Sequence, residues 1–269
     1  MKTRVITALV GVPILIAALV IRGFVADALI VALTLIALSE CYKALAAANF
    51  KVCTWGGYFA AIAMWPLSLL TGALDPLLLV TAAMGISMLG VLLSKEPTFP
   101  NAAASVYPLF TCLMPFSMFM MMHSTMYGRV PGIALVTMAF GIAYGGDVFA
   151  YLGGKTMGKH KLCPTVSPKK TVEGAVSGVL GSVVLALIIR AVFVHGLSTP
   201  MPGIPAAILL GVIGSVAGQV GDLTASMLKR YSGIKDYGKL FPGHGGVMDR
   251  FDSVIFTLIV MYCYTLVLH

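Results

Sequence analysis

FVADALIVALTLIALSECYKAL, residues 24–45, runs for 22 residues with ionisable groups only toward its ends, at Asp27, Glu40 and Lys43. About 20 apolar residues at a rise of about 1.5 Å each cross the roughly 30 Å of hydrocarbon in a bilayer. This stretch therefore reads as a transmembrane helix, and the chain repeats the pattern. Apolar runs between charges and Pro or Gly breaks give about nine spans, at 5–21, 24–45, 56–71, 76–94, 102–123, 131–152, 172–194, 204–227 and 253–268. The third and last are short, and Pro108 and Pro115 interrupt the fifth. Hydrophobic residues make up 59% of the chain, against about 45–50% in soluble domains, and the mean hydropathy is +0.96. The expected fold is all-α: a polytopic transmembrane helical bundle organised by lipid rather than by a water-excluded core.

Charge orients the bundle. With alternating loops, fifteen cations (Lys2, Arg4, Lys43, Lys51, Lys95, Lys155, Lys159, Lys161, Lys169, Lys170, Lys229, Arg230, Lys235, Lys239 and Arg250) fall on one side. Only Arg22, Arg129 and Arg190 fall on the other. Cytoplasmic loops hold the excess of Lys and Arg, so the N-terminus is expected inside and His269 outside. The net charge of +8 is mostly this topology signal, and it also favours anionic membrane lipid. Nucleic acid is excluded as a partner, because no basic surface interleaved with aromatics lies outside the spans. Two cations before an apolar run resemble a secretory leader, but the run is long and no small-residue cleavage site precedes Arg22, so the segment reads as a retained span. Cys41, Cys53, Cys112, Cys163 and Cys263 are odd in number and contain no C-x-x-C, which signals neither a disulfide framework nor a zinc cluster.

The two parts of the chain differ in character. Residues 1–127 are nearly free of ionisable groups within the spans and read as a scaffold and a candidate homodimer interface. Residues 128–269 carry Asp147, Glu173 and Asp222 in or beside apolar segments, and chemistry is expected there, with cytoplasmic loops at 153–171 and 228–252. Glycines at 174, 178 and 181, and at 211, 214, 218 and 221, recur at helical spacing; close helix packing is enough to account for them.

A carboxylate inside a membrane helix costs about 2.5–3.5 kcal/mol on insertion scales and is by default a functional candidate. Asp147 and Asp222 both fall near the expected inner ends of their spans. The loop GGKTMGKHKLCPTVSPKKTVEG, residues 153–174, brings five lysines and then Ser167, Lys170 and Thr171 to the start of a span. Hydroxyls, ammonium groups and helix-start amides suit a phosphate chain; the same residues also describe a capped helix, with Thr171 reaching its first amides. The second loop, KDYGKLFPGHGGVMDRFD at 235–252, lies in a stretch from Lys229 with eight charged residues. Its PGHGG bend can turn several backbone N–H groups toward an anion, and Asp249, Arg250 and Asp252 follow at once. Hard oxygen ligands suit Mg²⁺, which is usually completed by substrate phosphates and water. His244 fits either a phosphate donor or a structural residue of the bend.

The segment from Ser226 through Lys229, Arg230, Lys235, Asp236 and Gly238 to LFPGHGGVMDRFD resembles the signature of the phosphatidate cytidylyltransferases, the CDP-diacylglycerol synthases. DVFAYLGGKTMGKHKLCPTVSPKKTVEG, residues 147–174, is similar to the upstream part of that family, with Tyr144 a mild departure. The resemblance implies an integral membrane enzyme, expected in a bacterial inner membrane with its site facing the cytoplasm. It would join CTP and phosphatidate into CDP-diacylglycerol with release of pyrophosphate, in a metal-dependent reaction. It implies metal positions at Asp222 and Asp249, more weakly at Asp147, with one or two ions including Mg²⁺. Ser167, Lys170 and Thr171 match positions that would meet nucleotide phosphates. By their charge, Lys229, Arg230, Lys239 and Arg250 are expected to neutralise pyrophosphate or the lipid headgroup, with Lys229 and Arg250 counted as catalytic beside Asp222 and Asp249, and Lys235 and His244 are expected to contact substrate. Two rivals are a CTP-dependent polyprenol or phytol kinase, which would release CDP, and an ion or solute transporter with Asp147 and Asp222 on its path.

Overall fold

The computed structural model describes residues 23–71, 75–127, 130–241, 243 and 245–267. The expected first span, 5–21, and His244 lie outside the described residues. The elements run α1 (Phe24–Ala47), α2 (Trp55–Thr71), α3 (Pro76–Leu92), α4 (Phe99–Pro108) and α5 (Met114–Ser124). A short hairpin of β1 (Met126–Tyr127) and β2 (Val130–Pro131) leads to α6 (Gly132–Met157). The antiparallel pair β3 (Lys161–Cys163) and β4 (Ser167–Thr171) precedes α7 (Val172–Ala191), α8 (Ile204–Tyr231) and α9 (Met248–Thr265). Among the described residues, five helices are long and apolar enough to cross a membrane by length and composition, and two shorter apolar helices accompany them. An all-α integral membrane protein accounts for this pattern.

Local chemistry sets the helix boundaries. Asp75 caps α3 by accepting from Leu77 N at 2.8 Å, with Pro76 at the first helical position, where its missing N–H leaves nothing unpaired. A π-helical turn, Leu109–Leu113, separates α4 from α5, and Met114 N bonds to Leu109 O. It sits between Pro108 and Pro115, neither of which can give an N–H to the helical ladder. The prolines that interrupt the fifth expected span thus widen a helix without ending it.

The chain forms two compact units, Met1–Met121 with Leu228–Phe251 and Met122–Met227 with Asp252–His269. These units do not follow the sequence halves: residues 228–251 belong with the N-terminal helices. In the first unit Leu38, Met64, Leu109, Leu113 and Phe116 are fully buried. In the second, small residues let backbones approach. Ser182 Oγ donates to Ile142 O at 2.8 Å between α7 and α6, and a Cβ at Gly181 would overlap the Phe149 ring. On α8, Gly211 faces Val183, Gly214 and Gly218 face Thr257, and Gly221 lies against the Asp252 carbonyl and the Phe256 ring. The glycine rows are helix contacts.

Three boundaries differ from expectation by more than three residues. Helix α6 continues to Met157 instead of ending near 152, α8 continues to Tyr231 instead of 227, and α9 begins at Met248 instead of 253. Among the described residues, the irregular part of the expected loop at 228–252 therefore falls within 232–241, 243 and 245–247, and Asp249, Arg250 and Asp252 are helical. Charge marks where hydrocarbon ends, whereas a helix continues until its backbone is capped. Gly233, at φ +67°, supplies that stop for α8: Ile234 N bonds to Lys229 O and Gly233 N to Arg230 O, the left-handed glycine cap.

Replacing Gly221 by Ala forces a methyl onto backbone and is expected to destabilise by about 1–3 kcal/mol. Gly85 on α3 has open space beside it, and Gly85→Ala is expected to hold or raise the midpoint, since Ala is favoured in helices by about 1 kcal/mol. Thermal unfolding in detergent distinguishes the two.

Candidate active site

Asp249 lies in the first turn of α9, where the helix dipole favours an anion. Its Oδ2 accepts from Tyr237 N at 2.7 Å and from Gly246 N at 2.9 Å, and its Oδ1 accepts from Lys229 Nζ at 2.8 Å. The Asp249 side chain is 4% exposed and that of Lys229 15%. Two charges withdrawn this far from water persist only when their remaining polar sites are satisfied, and three donors do this for the carboxylate. The Lys229 ammonium also stands 5.5 Å from the centre of the Tyr237 ring. Burial is the main cause that pushes the Tyr237 hydroxyl well above its ordinary range, so the ring stays neutral beside the pair.

A second carboxylate holds the same helix start. Glu40, deep in α1 and 6% exposed, accepts from Val247 N at 3.1 Å through Oε1 and from Met248 N at 2.9 Å through Oε2. The first amides of a helix have no partners within it, and an anion there contributes up to about 2 kcal/mol in a partly buried setting. A Cβ at Gly238 or Gly246 would overlap the Glu40 carboxylate, so those two glycines are the close approach that admits it. From the sequence alone Glu40 is only a charge near a span end, and chemistry is expected in the second half. The missed signal was the rule applied to Asp147 and Asp222: a carboxylate in an apolar helix needs a partner.

Between these anchors the bend closes on itself, Phe241 N bonding to Gly245 O at 2.9 Å. Gly243 and Gly245 take φ of +77° and +86°, and a Cβ at Gly245 would also overlap the Asp249 carboxylate. Arg230, Lys235, Lys239 and Arg250 are exposed around this loop.

In the second unit, Lys170 on β4 forms an ion pair with Asp222 on α8. Ser226 Oγ donates to the other oxygen, Asp222 Oδ1, at 3.2 Å. The pair is wetter than the first, with side chains 27% and 23% exposed. Ser167 and Lys170 lie on a strand rather than at a helix start. Thr171 is the N-cap of α7 and accepts from Gly174 N at 3.1 Å, so the capping role left open by the sequence is present. Glu173 pins the hairpin by accepting from Lys159 N at 3.0 Å and pairing with His160 Nδ1 at 2.6 Å. Asp147 accepts from Ser253 Oγ at 3.2 Å and lines a small cavity with Ser215, Gly218 and Gln219. Asp252 accepts from Ser253 N at 2.8 Å, a local backbone contact.

Among the described residues, no three His, Cys, Asp or Glu side chains converge. A divalent ion here would need phosphate and water to complete its shell, the usual arrangement for Mg²⁺. Within each unit taken by itself the donor chemistry suits such an ion: Asp249 in the first and Asp222 in the second each turn one oxygen toward a lysine ammonium and so already accommodate positive charge.

The two ion pairs differ in burial and should differ in worth. Lys229→Met leaves a buried carboxylate uncompensated and is expected to destabilise by about 3–5 kcal/mol, whereas Lys170→Met is expected to cost about 1 kcal/mol or less. Denaturation of the two variants in one detergent, at low and high salt, checks the order.

The family model described as the Cytidylyltransferase family matches residues 2–268. The Staphylococcus haemolyticus protein named phosphatidate cytidylyltransferase is 34% identical over 262 residues, covering 96% of this chain and 96% of its own. The protein of the same name from Staphylococcus aureus (strain COL) is 34% identical over 264 residues, with 96% of each chain covered. That from Staphylococcus saprophyticus is 37% identical over 177 residues, covering 64% of this chain and 65% of its own. Nearly end to end, then, and not only across the loop that holds Asp249, the chain belongs to the cytidylyltransferase family.

Proposed function

We propose that this protein transfers the cytidylyl group of CTP to phosphatidate, giving CDP-diacylglycerol and pyrophosphate for phospholipid synthesis. The observation that carries the reading is the signature of residues 226–252, with Lys229 and Asp249 held together, in a chain similar over 96% of its length to proteins named for that activity. A phosphatidate oxygen forms the new bond to the α-phosphorus of CTP, and the bond from that phosphorus to the bridging oxygen of pyrophosphate breaks. Phosphatidate brings its own oxyanion, so no protein nucleophile is required.

Repulsion between the two anionic reactants is the main obstacle. Two unit charges 4 Å apart interact by about 4 kcal/mol at an effective dielectric near 20, so fixed cations between them lower the barrier by positioning and neutralisation. Lys229 is the best held of these, and Arg230, Lys235, Lys239 and Arg250 add exposed positive charge for pyrophosphate or the lipid headgroup. Ser167 and Lys170 offer a hydroxyl and an ammonium to the nucleotide phosphates, while Thr171 keeps α7 capped beside them. His244, in the PGHGG stretch, is the proposed donor to phosphate. Asp222 and Asp249, with Asp147, are the proposed ligands of one or two metal ions including Mg²⁺; when bound, the metal supplies charge neutralisation on phosphate oxygens.

The proposed setting is a bundle of about nine spans with a cytoplasmic N-terminus, in a bacterial inner membrane, with the active loops facing the cytoplasm. The fifteen-to-three partition of cations supports that orientation. A homodimer through the N-terminal helices is the proposed assembly.

Purified protein in detergent, given phosphatidate, Mg²⁺ and CTP labelled at the α-phosphate, is expected to move label into the lipid phase as pyrophosphate appears. Chelation of divalent metal should stop it, and Asp222→Asn or Asp249→Asn should lower turnover by at least about 100-fold. Release of CDP would replace cytidylyl transfer with a CTP-dependent lipid kinase reaction. Near-normal turnover in Asp249→Asn would remove Asp249 from metal binding.

A further inference from the structure

We infer that Glu40 is a positioning residue for the loop that carries Lys229 and Asp249, a role in catalysis that rests on the cytidylyl-transfer reading above. A helix start attracts an anion, and at α9 that anion comes from α1, 207 residues before Val247 in sequence. Glu40 holds the amides of Val247 and Met248, the two residues immediately before Asp249. Asp249 in turn holds Tyr237 N, Gly246 N and Lys229 Nζ. Gly238 and Gly246 press on the Glu40 carboxylate from the loop side. One buried side chain therefore fixes both where α9 begins and how closely the bend packs against α1. If the carboxylate is lost, two buried amides lose their acceptors and the loop must shift to find others. Glu40 itself needs no contact with substrate for this role.

Two substitutions test the contact from opposite sides. Glu40→Gln keeps the volume but turns an NH₂ group toward a backbone N–H, and Gly246→Ala keeps the carboxylate but drives a methyl onto it. Both are expected to lower kcat per folded molecule by about tenfold to a hundredfold, to change KM for CTP, and to speed tryptic cleavage at the exposed Lys235 and Lys239. A residue that only stabilises the fold would lower the yield of folded enzyme and leave kcat per folded molecule, KM and cleavage rate unchanged; that result overturns the inference. Since one contact carries both effects, Glu40→Ala combined with Gly246→Ala should be no worse than the more severe single variant, and multiplied losses also overturn it. If the wild type transfers no label, the cytidylyl reading fails. The tryptic rates then decide the anchoring alone, faster cleavage supporting it and unchanged cleavage overturning it.

Discussion

A carboxylate withdrawn from water must find donors, and the start of α9 is where this protein gathers two of them. Asp249 takes two backbone amides and a lysine ammonium; Glu40 takes the next two amides along the chain. Neither arrangement survives alone without leaving buried polar groups unpaired, which costs about 1–3 kcal/mol each and more for a charge. The glycine bend, the extended start of α9 and the inward Lys229 all follow from satisfying these four carboxylate oxygens. Here position is dictated by direction-dependent bonds and not by apolar contact alone.

The same logic separates the two ion pairs by their surroundings. Lys229 and Asp249 are nearly dry, so their attraction is strong and the loss of one partner severe. Lys170 and Asp222 remain about a quarter exposed, so their contact is screened and exchangeable. An arriving phosphate would compete far more readily for the second lysine than for the first. The dry pair suits a fixed element of the site, and the wetter one suits a group that meets an arriving ligand.

Much of the fold was legible because membrane helices announce themselves by composition. The expected runs at 24–45, 56–71 and 76–94 end within three residues of α1, α2 and α3. Charge does not mark loop at the other boundaries: Arg250 and Asp252 sit in α9, and Lys229 and Arg230 close α8, because caps rather than polarity end helices. The dense signature points to Asp249 and Lys229 as site residues, but neither their pairing with each other nor the backbone donors Tyr237 and Gly246 can be read from it. Glu40 itself is legible as a carboxylate in an apolar helix, but what it binds is not. Its partners lie 207 and 208 residues away and are backbone amides, which carry no side-chain identity for a sequence pattern to show. Gly238 and Gly246 did stand in the signature, but only the structure shows that they make room for a carboxylate from α1.

Amide hydrogen exchange of the unmodified protein in detergent measures these bonds most directly. The amides of Tyr237, Gly246, Val247 and Met248 should exchange as slowly as those inside α9, despite three of them lying in an irregular loop. Exchange at the rate of the neighbouring exposed loop residues would mean that the two carboxylates do not hold the loop, and the structural basis offered for its chemistry would fall.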